Sequence, residues 1–254
     1  MYQDLLKLAE KTGAQAAALL MKRPPAFEIS SKSTAIDIAT QMDVAAEKFI
    51  VDAILAARPD DGIIGEEGTE RPSKSGITWV IDPLDGTVNY VYGLPGWNVS
   101  IAAKDSEGSI VGVVTAPTIN STWTAMRGGG AFYNGYKISC NEPIELDRAL
   151  ISTGFQYDVA NRFSQLEDLA KIVPIARDVR RNGAAAVDFC HVAMGAIDGF
   201  YESGLKEWDW AAGSLIALEA GAKFTQHGSA PLQTSIVAGA SLHAQLCSIL
   251  GMSE

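Results

Sequence analysis

Carboxylates gather at the ends of three short segments of this chain. Gly65-Glu66-Glu67-Gly68 follows the apolar pair Ile63-Ile64, and Asp82-Pro83-Leu84-Asp85-Gly86-Thr87-Val88-Asn89 follows Trp79-Val80-Ile81. Trp208-Asp209-Trp210-Ala211-Ala212-Gly213 comes much later. A lone Asp-Pro or Asp-Gly is an ordinary turn dipeptide, but the second segment holds more than a turn. Asp82 ends an apolar strand, so a rigid element delivers it, and Pro83 keeps Asp82 extended while fixing its own φ. Asp85, three residues on, can come round to share a cation with Asp82, and the Leu84 carbonyl is a further hard oxygen donor. Gly86 clears a side chain where something must approach the backbone. Thr87 then starts a short helix whose free N–H groups favour an anion such as phosphate. Carboxylates for a cation beside a helix start for an anion make a metal–phosphate site, and oxygen-only donors point to Mg²⁺ over Zn²⁺ or Cu²⁺.

Rival chemistries lack their residues. Gly128-Gly129-Gly130 has no later glycine for a dinucleotide loop, and the Gly130–Gly135 spacing continues with Tyr136 where a phosphate loop needs Lys. There is no Gly-x-Ser-x-Gly and no His-Glu-x-x-His. His191, His227 and His243 have no ligand spacing and read as core or surface residues, and Cys140, Cys190 and Cys247 read as reduced, structural thiols. Thirty Asp and Glu against 20 Lys and Arg give a net charge of -10. Such a chain is a poor general binder of nucleic acid or anionic membrane, although bound metal ions can reverse the local sign for a small anion. No run of about 18 apolar residues suggests a membrane span. Asp4, Lys7, Glu10 and Lys11 among the first leucines are unlike a signal peptide, so a cytoplasmic location is expected.

Hydrophobic spacing defines the elements that must carry these residues. With 254 residues and 47% hydrophobic content, the chain is one large domain or two closely packed ones. Leu5, Leu8, Ala9, Thr12, Ala16 and Leu19 form a helical stripe that Pro24-Pro25 closes, and a second helix is expected over 41–57. Residues 78–82, 97–103, 110–116 and 121–126 read as strands, giving helices on one face of an antiparallel sheet. Later, strands at 150–153, 179–181, 197–201 and 235–238 alternate with helices at 163–172, 184–194, 208–221 and 241–250, a layered α/β pattern. A boundary near residue 145 separates an α+β part, residues 1–145, with most candidate metal ligands, from an α/β part, residues 146–254, with Asp209.

Taken in order, these motifs resemble the inositol monophosphatase family, within the lithium-sensitive, magnesium-dependent phosphatase superfamily. Residues 32–43 are similar to its early lysine (Lys32) and Thr-x-x-Asp (Thr40 to Asp43), and Gly65–Gly68 to its Gly-Glu-Glu turn. Asp82–Asn89 resembles its Asp-Pro-x-Asp-Gly-Thr-x-Asn signature, and Trp208–Gly213 its late Trp-Asp-x-Ala-Ala-Gly. The resemblance covers nearly the whole chain. It implies a layered αβαβα sandwich that mixes α/β and α+β parts, a homodimer, and Mg²⁺-dependent hydrolysis of small phosphate monoesters with Li⁺ as inhibitor.

By the same resemblance, Glu66, Asp82 and the Leu84 carbonyl hold a first Mg²⁺, Asp82, Asp85 and Asp209 a second, and Glu66 helps a third. Glu66 and Thr87 activate the attacking water, and Asp43 orients the Thr87 hydroxyl. Glu67 has an outer or third-ion role, or plain support. Lys32 lies near the mouth, and Gly86, Thr87 and Asp209 border the substrate. Arg181-Asn182-Gly183-Ala184-Ala185, through Gly183 and Ala185, lines the substrate hydroxyls, and Glu202 accepts hydrogen bonds from them, which favours a polyol. Lys206 and Glu207 match no usable pattern. Inositol 1-phosphate is the leading substrate; histidinol phosphate, fructose 1,6-bisphosphate, an adenosine bisphosphate, or a regulatory protein that keeps the fold are the alternatives.

Overall fold

The computed structural model describes residues 2–32, 37–230 and 232–252, so residues 33–36 of the early lysine segment lie outside it. The chain opens with α1 (Tyr2–Leu20), an antiparallel pair β1 (Ile29–Ser31) and β2 (Ile38–Thr40), and α2 (Gln41–Ala57). Then come β3 (Gly62–Gly65), β4 (Glu70–Arg71), β5 (Thr78–Asp85), the short α3 (Thr87–Tyr92) and β6 (Asn98–Asp105). A meander follows: β7 (Gly108–Ala116), β8 (Ser121–Met126), β9 (Gly130–Tyr133) and β10 (Tyr136–Lys137). The later half carries β11 (Leu150–Thr153), α4 (Arg162–Ile172), β12 (Asp178–Arg180) and α5 (Ala185–Ala193). It ends with β13 (Gly199–Ser203), α6 (Glu207–Glu219), β14 (Lys223–His227), β15 (Thr234–Ala238) and α7 (Ala240–Leu250).

The first sheet runs β10-β9-β8-β7-β6-β5-β3-β4, antiparallel except where β3 lies parallel to β5. Successive residues of its strands face opposite layers. Trp79, Ile81, Ile101 and Val113 pack with Leu5, Ile50 and Ile54 of α1 and α2, whereas Val80, Ala102 and Val114 pack with Phe189 and Ile216 of α5 and α6. The expectation of helices on one face is therefore corrected: both faces are covered. Strands buried on both faces lose the apolar–polar alternation that would reveal a second layer.

The second sheet, β12-β11-β13-β15-β14, is mixed, with β11 parallel to β12 and β13 and with β15 antiparallel to its neighbours. Ile151, Tyr201 and Ile236 meet Ile172, Leu242 and Leu246 of α4 and α7 on its outer face. The result is the αβαβα sandwich. The division near residue 145 falls between β10 and β11, yet α5 and α6 from the later half cover the first sheet, so the halves share a core.

β14 and the β9–β10 hairpin are among the elements that escape the hydrophobic pattern. β14 is an edge strand carrying Thr225, Gln226 and His227, too polar to read as a strand. The β9–β10 hairpin turns on Asn134 (φ 48°) and Gly135 (φ 83°), and an Asn-Gly between Phe132-Tyr133 and Tyr136 is itself a hairpin signal. No helix among the described residues is long and apolar enough to cross a membrane.

Candidate active site

The acidic residues meet because β5 breaks register at its end. Asp82 pairs with Ser100 and Asp85 with Asn98, and between them the ladder with β6 shifts. Pro83 has no N–H to contribute to a ladder, so the strand bulges there. Asp82 Oδ1 accepts from the Leu84 N–H at 3.0 Å. Asp85 Oδ2 accepts from Asn98 Nδ2 at 2.8 Å and from the Ala186 N–H at 2.9 Å, which ties the first sheet to the start of α5. Asp209 lies in the first turn of α6, where its Oδ2 accepts from the Lys206 N–H at 2.6 Å. Lys206 thus caps α6, and Glu207 pairs with Lys104, so both unmatched positions serve the helix start.

Asp43 is set by a capping box. Its Oδ2 accepts from the Thr40 N–H and hydroxyl at 2.8 and 2.6 Å, which aims Oδ1 at the Thr87 hydroxyl, 3.0 Å away. The same hydroxyl lies 3.1 Å from the Leu84 carbonyl. Thr87 opens a helix of only six residues, shorter than its expected role as an anion-binding helix start would favour.

Glu47 was not singled out from the sequence, yet it shapes the Gly65–Thr69 turn. Its carboxylate accepts from the Glu67 N–H at 2.8 Å and from the Thr69 N–H and hydroxyl at 3.1 and 2.6 Å. It is buried, and a Cβ at Gly65 would lie 2.5 Å from it, so only glycine lets it reach the turn. Its position on the inner face of an amphipathic helix was the available signal. Glu47→Ala should cost about 3 kcal/mol, lowering the melting temperature by roughly 6–12 °C in thermal denaturation.

These residues line a cavity of about 430 Å³. Glu66, Asp82, Asp85, Thr87 and Asp209 lie at one pole. Gly183–Ala185, Glu202 and the segment from Gly154 to Asp158 form the other walls, with Lys32 and Lys206 on the lining as well. The structure thus brings every candidate site residue except Asp43 and Glu67 to the cavity lining; Asp43 reaches it through Thr87, and Glu67 sits beside it, held by Lys32. Gln156 and Tyr157 in a loop, and Asn161 at the end of a 3-10 turn, are also on the lining; they were missed because this stretch has no motif or period.

The electrostatics are those of crowded acids. Burial, followed by the charges of Glu66, Asp85 and Asp209, pushes the Asp82 carboxyl well up, and Glu66 hydrogen-bonds it. Burial raises Asp85 to about 6 despite its bonds from Asn98 and Ala186. Burial and then Glu66 raise Asp209 well above the usual range. Lys32 Nζ donates to Glu66 Oε1 at 2.8 Å and also to Glu67; burial alone would lower the ammonium, but these two carboxylates raise it. Glu202 is pushed up to about 8 by burial and the nearby Asp188, with Arg181 opposing.

The donor chemistry fits a hard divalent cation. Two carboxyls in direct contact, Glu66 and Asp82, with Asp85 and Asp209 adding charge, need a proton or a cation among them. As placed, no three His, Cys, Asp or Glu side chains among the described residues already converge to hold one.

Residues 1–253 match the model of the inositol monophosphatase family. The inositol-1-monophosphatase SuhB of Mycobacterium tuberculosis is 41% identical over 240 residues, covering 86% of this chain and 82% of that protein. The Nus factor SuhB of Escherichia coli is 38% identical over 243 residues, covering 92% and 91%. The crystal structure of the extragenic suppressor protein suhB from Bartonella henselae superposes with a TM-score of 0.92 at 30% identity, covering 97% of this chain and 98% of that one.

Proposed function

Because the chain belongs to the inositol monophosphatase family, we propose that it is a Mg²⁺-dependent hydrolase of small phosphate monoesters, with inositol 1-phosphate as the leading substrate. The observation that carries this reading is one cavity lined both by the buried acids with Thr87, which Asp43 orients, and by Glu202. Glu66, Asp82, Asp85, Asp209 and the Leu84 carbonyl would hold the ions. When bound, Mg²⁺ supplies charge neutralisation for the phosphate, a lowered pKa for water and stabilisation of the leaving oxygen.

The chain's own residues do the rest. The Thr87 proton is engaged by the Asp43 carboxylate or the Leu84 carbonyl, so the hydroxyl presents a lone pair that accepts from the attacking water. Glu66 orients that water with Thr87, and Lys32 steadies the Glu66–Glu67 turn. The backbone from Gly183 to Ala185 and the Glu202 carboxyl hold the alcohol's hydroxyls. The exposed apolar Phe163, Leu166 and Val173 on and beside α4 favour a homodimer, and three cysteines that join no disulfide suit the cytoplasm.

Glu202 provides the test. Glu202→Ala should lose roughly tenfold to a hundredfold in kcat/KM on inositol 1-phosphate, while 4-nitrophenyl phosphate, which has no ring hydroxyls, stays within about threefold. Equal losses on both esters would remove Glu202 from the hydroxyl site. A second reading, a regulatory protein that keeps the fold, is favoured by the relative in Escherichia coli whose name is Nus factor SuhB. Mg²⁺-saturated inactivity on every monoester tried would move that reading forward.

A further inference from the structure

Asp188 takes no part in the scheme above, yet it is one of the most enclosed carboxyls in the molecule. It sits early in α5 at 1% exposure and forms no ion pair among the described residues. Its Oδ1 accepts a 2.6 Å hydrogen bond from Asn182 Nδ2. The Asn182 carbonyl in turn accepts a 2.8 Å bond from Asn89 Nδ2, on α3 two residues after Thr87. Three side chains thus link the core of α5, the turn at 181–184 and the helix that carries Thr87.

The turn between them is under close constraint. Gly183 has φ +91°, and a Cβ there would fall 3.0 Å from Asn89 Oδ1. Past the turn, the Ala186 N–H is held by Asp85. The cavity-lining backbone from Gly183 to Ala185 is therefore fixed at its far end by a metal-pole carboxylate and at its near end through Asn182. Burial raises the Asp188 carboxyl to about 7, Asn182 and Ser152 opposing, so keeping an acid here has an energetic cost that packing alone does not explain.

We propose that Asp188 is a positioning residue: through Asn182 and Asn89 it sets the gap between the hydroxyl-binding backbone at Gly183–Ala185 and the Thr87 pole, and so selects which alcohol fits. The inference rests on the monoesterase reading. The brace acts on the alcohol, which is bound in ground state and transition state alike, so its loss falls on KM.

The test compares Asp188→Ala, Asp188→Asn, Asn182→Ala and the double variant Asn182→Ala/Asp188→Ala on inositol 1-phosphate at saturating Mg²⁺. Asp188→Ala should raise KM about tenfold with kcat within roughly threefold, and Asp188→Asn, which still accepts from Asn182, should return KM to within about twofold of wild type. The double variant should match the worse single one, because both break one chain. An unchanged KM, a fall in kcat alone, or additive losses would overturn the proposal. Asn182→Ala carries the test alone should Asp188→Ala not fold. If wild-type protein does not hydrolyse the ester, the monoesterase reading fails, and amide hydrogen exchange at Gly183–Ala186 still tests the brace. Protection should drop in Asp188→Ala and persist in Asp188→Asn; equal protection in both would overturn the brace.

Discussion

Asp209→Asn is expected to cut Mg²⁺-dependent phosphate release by about a thousandfold while leaving the fold intact. The side chain has two separable tasks. Its Oδ2 accepts from the Lys206 N–H at the start of α6, and an asparagine oxygen can accept that same bond. Its charge is what asparagine lacks. Burial and Glu66 raise the Asp209 carboxyl, so without a cation its ionised form is a burden on the fold. A group raised in this way stabilises fully below its unfolded pKa and loses that contribution as pH rises through the folded value. Metal-free Asp209→Asn should therefore melt at or above the wild-type temperature near pH 7.5, although it has lost its turnover. Opposite signs in activity and stability would separate a ligand from a structural residue. Unchanged kinetics would contradict the site.

Mg²⁺ itself should stabilise the protein, and more so at higher pH. Asp82, Asp85 and Asp209 are all raised, Asp85 to about 6, so the metal-free fold loses their contribution as pH climbs from about 4 through that value. A cation at a hundred times its Kd adds about 2.7 kcal/mol, which for a chain of this size is roughly 5–10 °C in Tm. The shift should be full near pH 7.5 and nearly absent near pH 4, where the ligands hold protons. Other acids work the other way. Asp61, where bonds from Arg58, Ser75 and Trp79 outweigh burial, and Asp105, bonded by Arg127, are lowered, so they stabilise as pH rises through the acid range. The difference with and without Mg²⁺ at each pH removes their effect. A Mg²⁺ shift of the same size at pH 4 and pH 7.5 would contradict the carboxylate site.

The most legible part of this protein was the part whose chemistry is local. Asp82, Pro83, Asp85, Gly86 and Thr87 lie in one continuous run, and residue type alone says that a rigid strand ends there in a turn suited to a cation and an anion. Helix spans were equally plain, and α2 (Gln41–Ala57) falls where the spacing placed it, although its buried face carries Asp43 and Glu47 while Val44 is exposed. What stayed hidden depends on distant partners. Glu47 reads as one more charged helix residue until the Gly65 turn folds over it. Asn182 and Asp188 look like a turn and a helix start, because their link to Asn89 crosses more than ninety residues of chain. The middle helical layer came from the resemblance and not from periodicity, since a strand buried on both faces shows no alternation. The walls around Gln156 and Tyr157 have no period, and their role is set by where the loop lands.

The most direct test of the account is phosphate release by the purified protein from inositol 1-phosphate, histidinol phosphate and fructose 1,6-bisphosphate, each measured across a Mg²⁺ titration and with chelator. The account predicts release that requires Mg²⁺, vanishes with chelator and is fastest on inositol 1-phosphate. Release that persists in chelator, or none from any ester at saturating Mg²⁺, would contradict it.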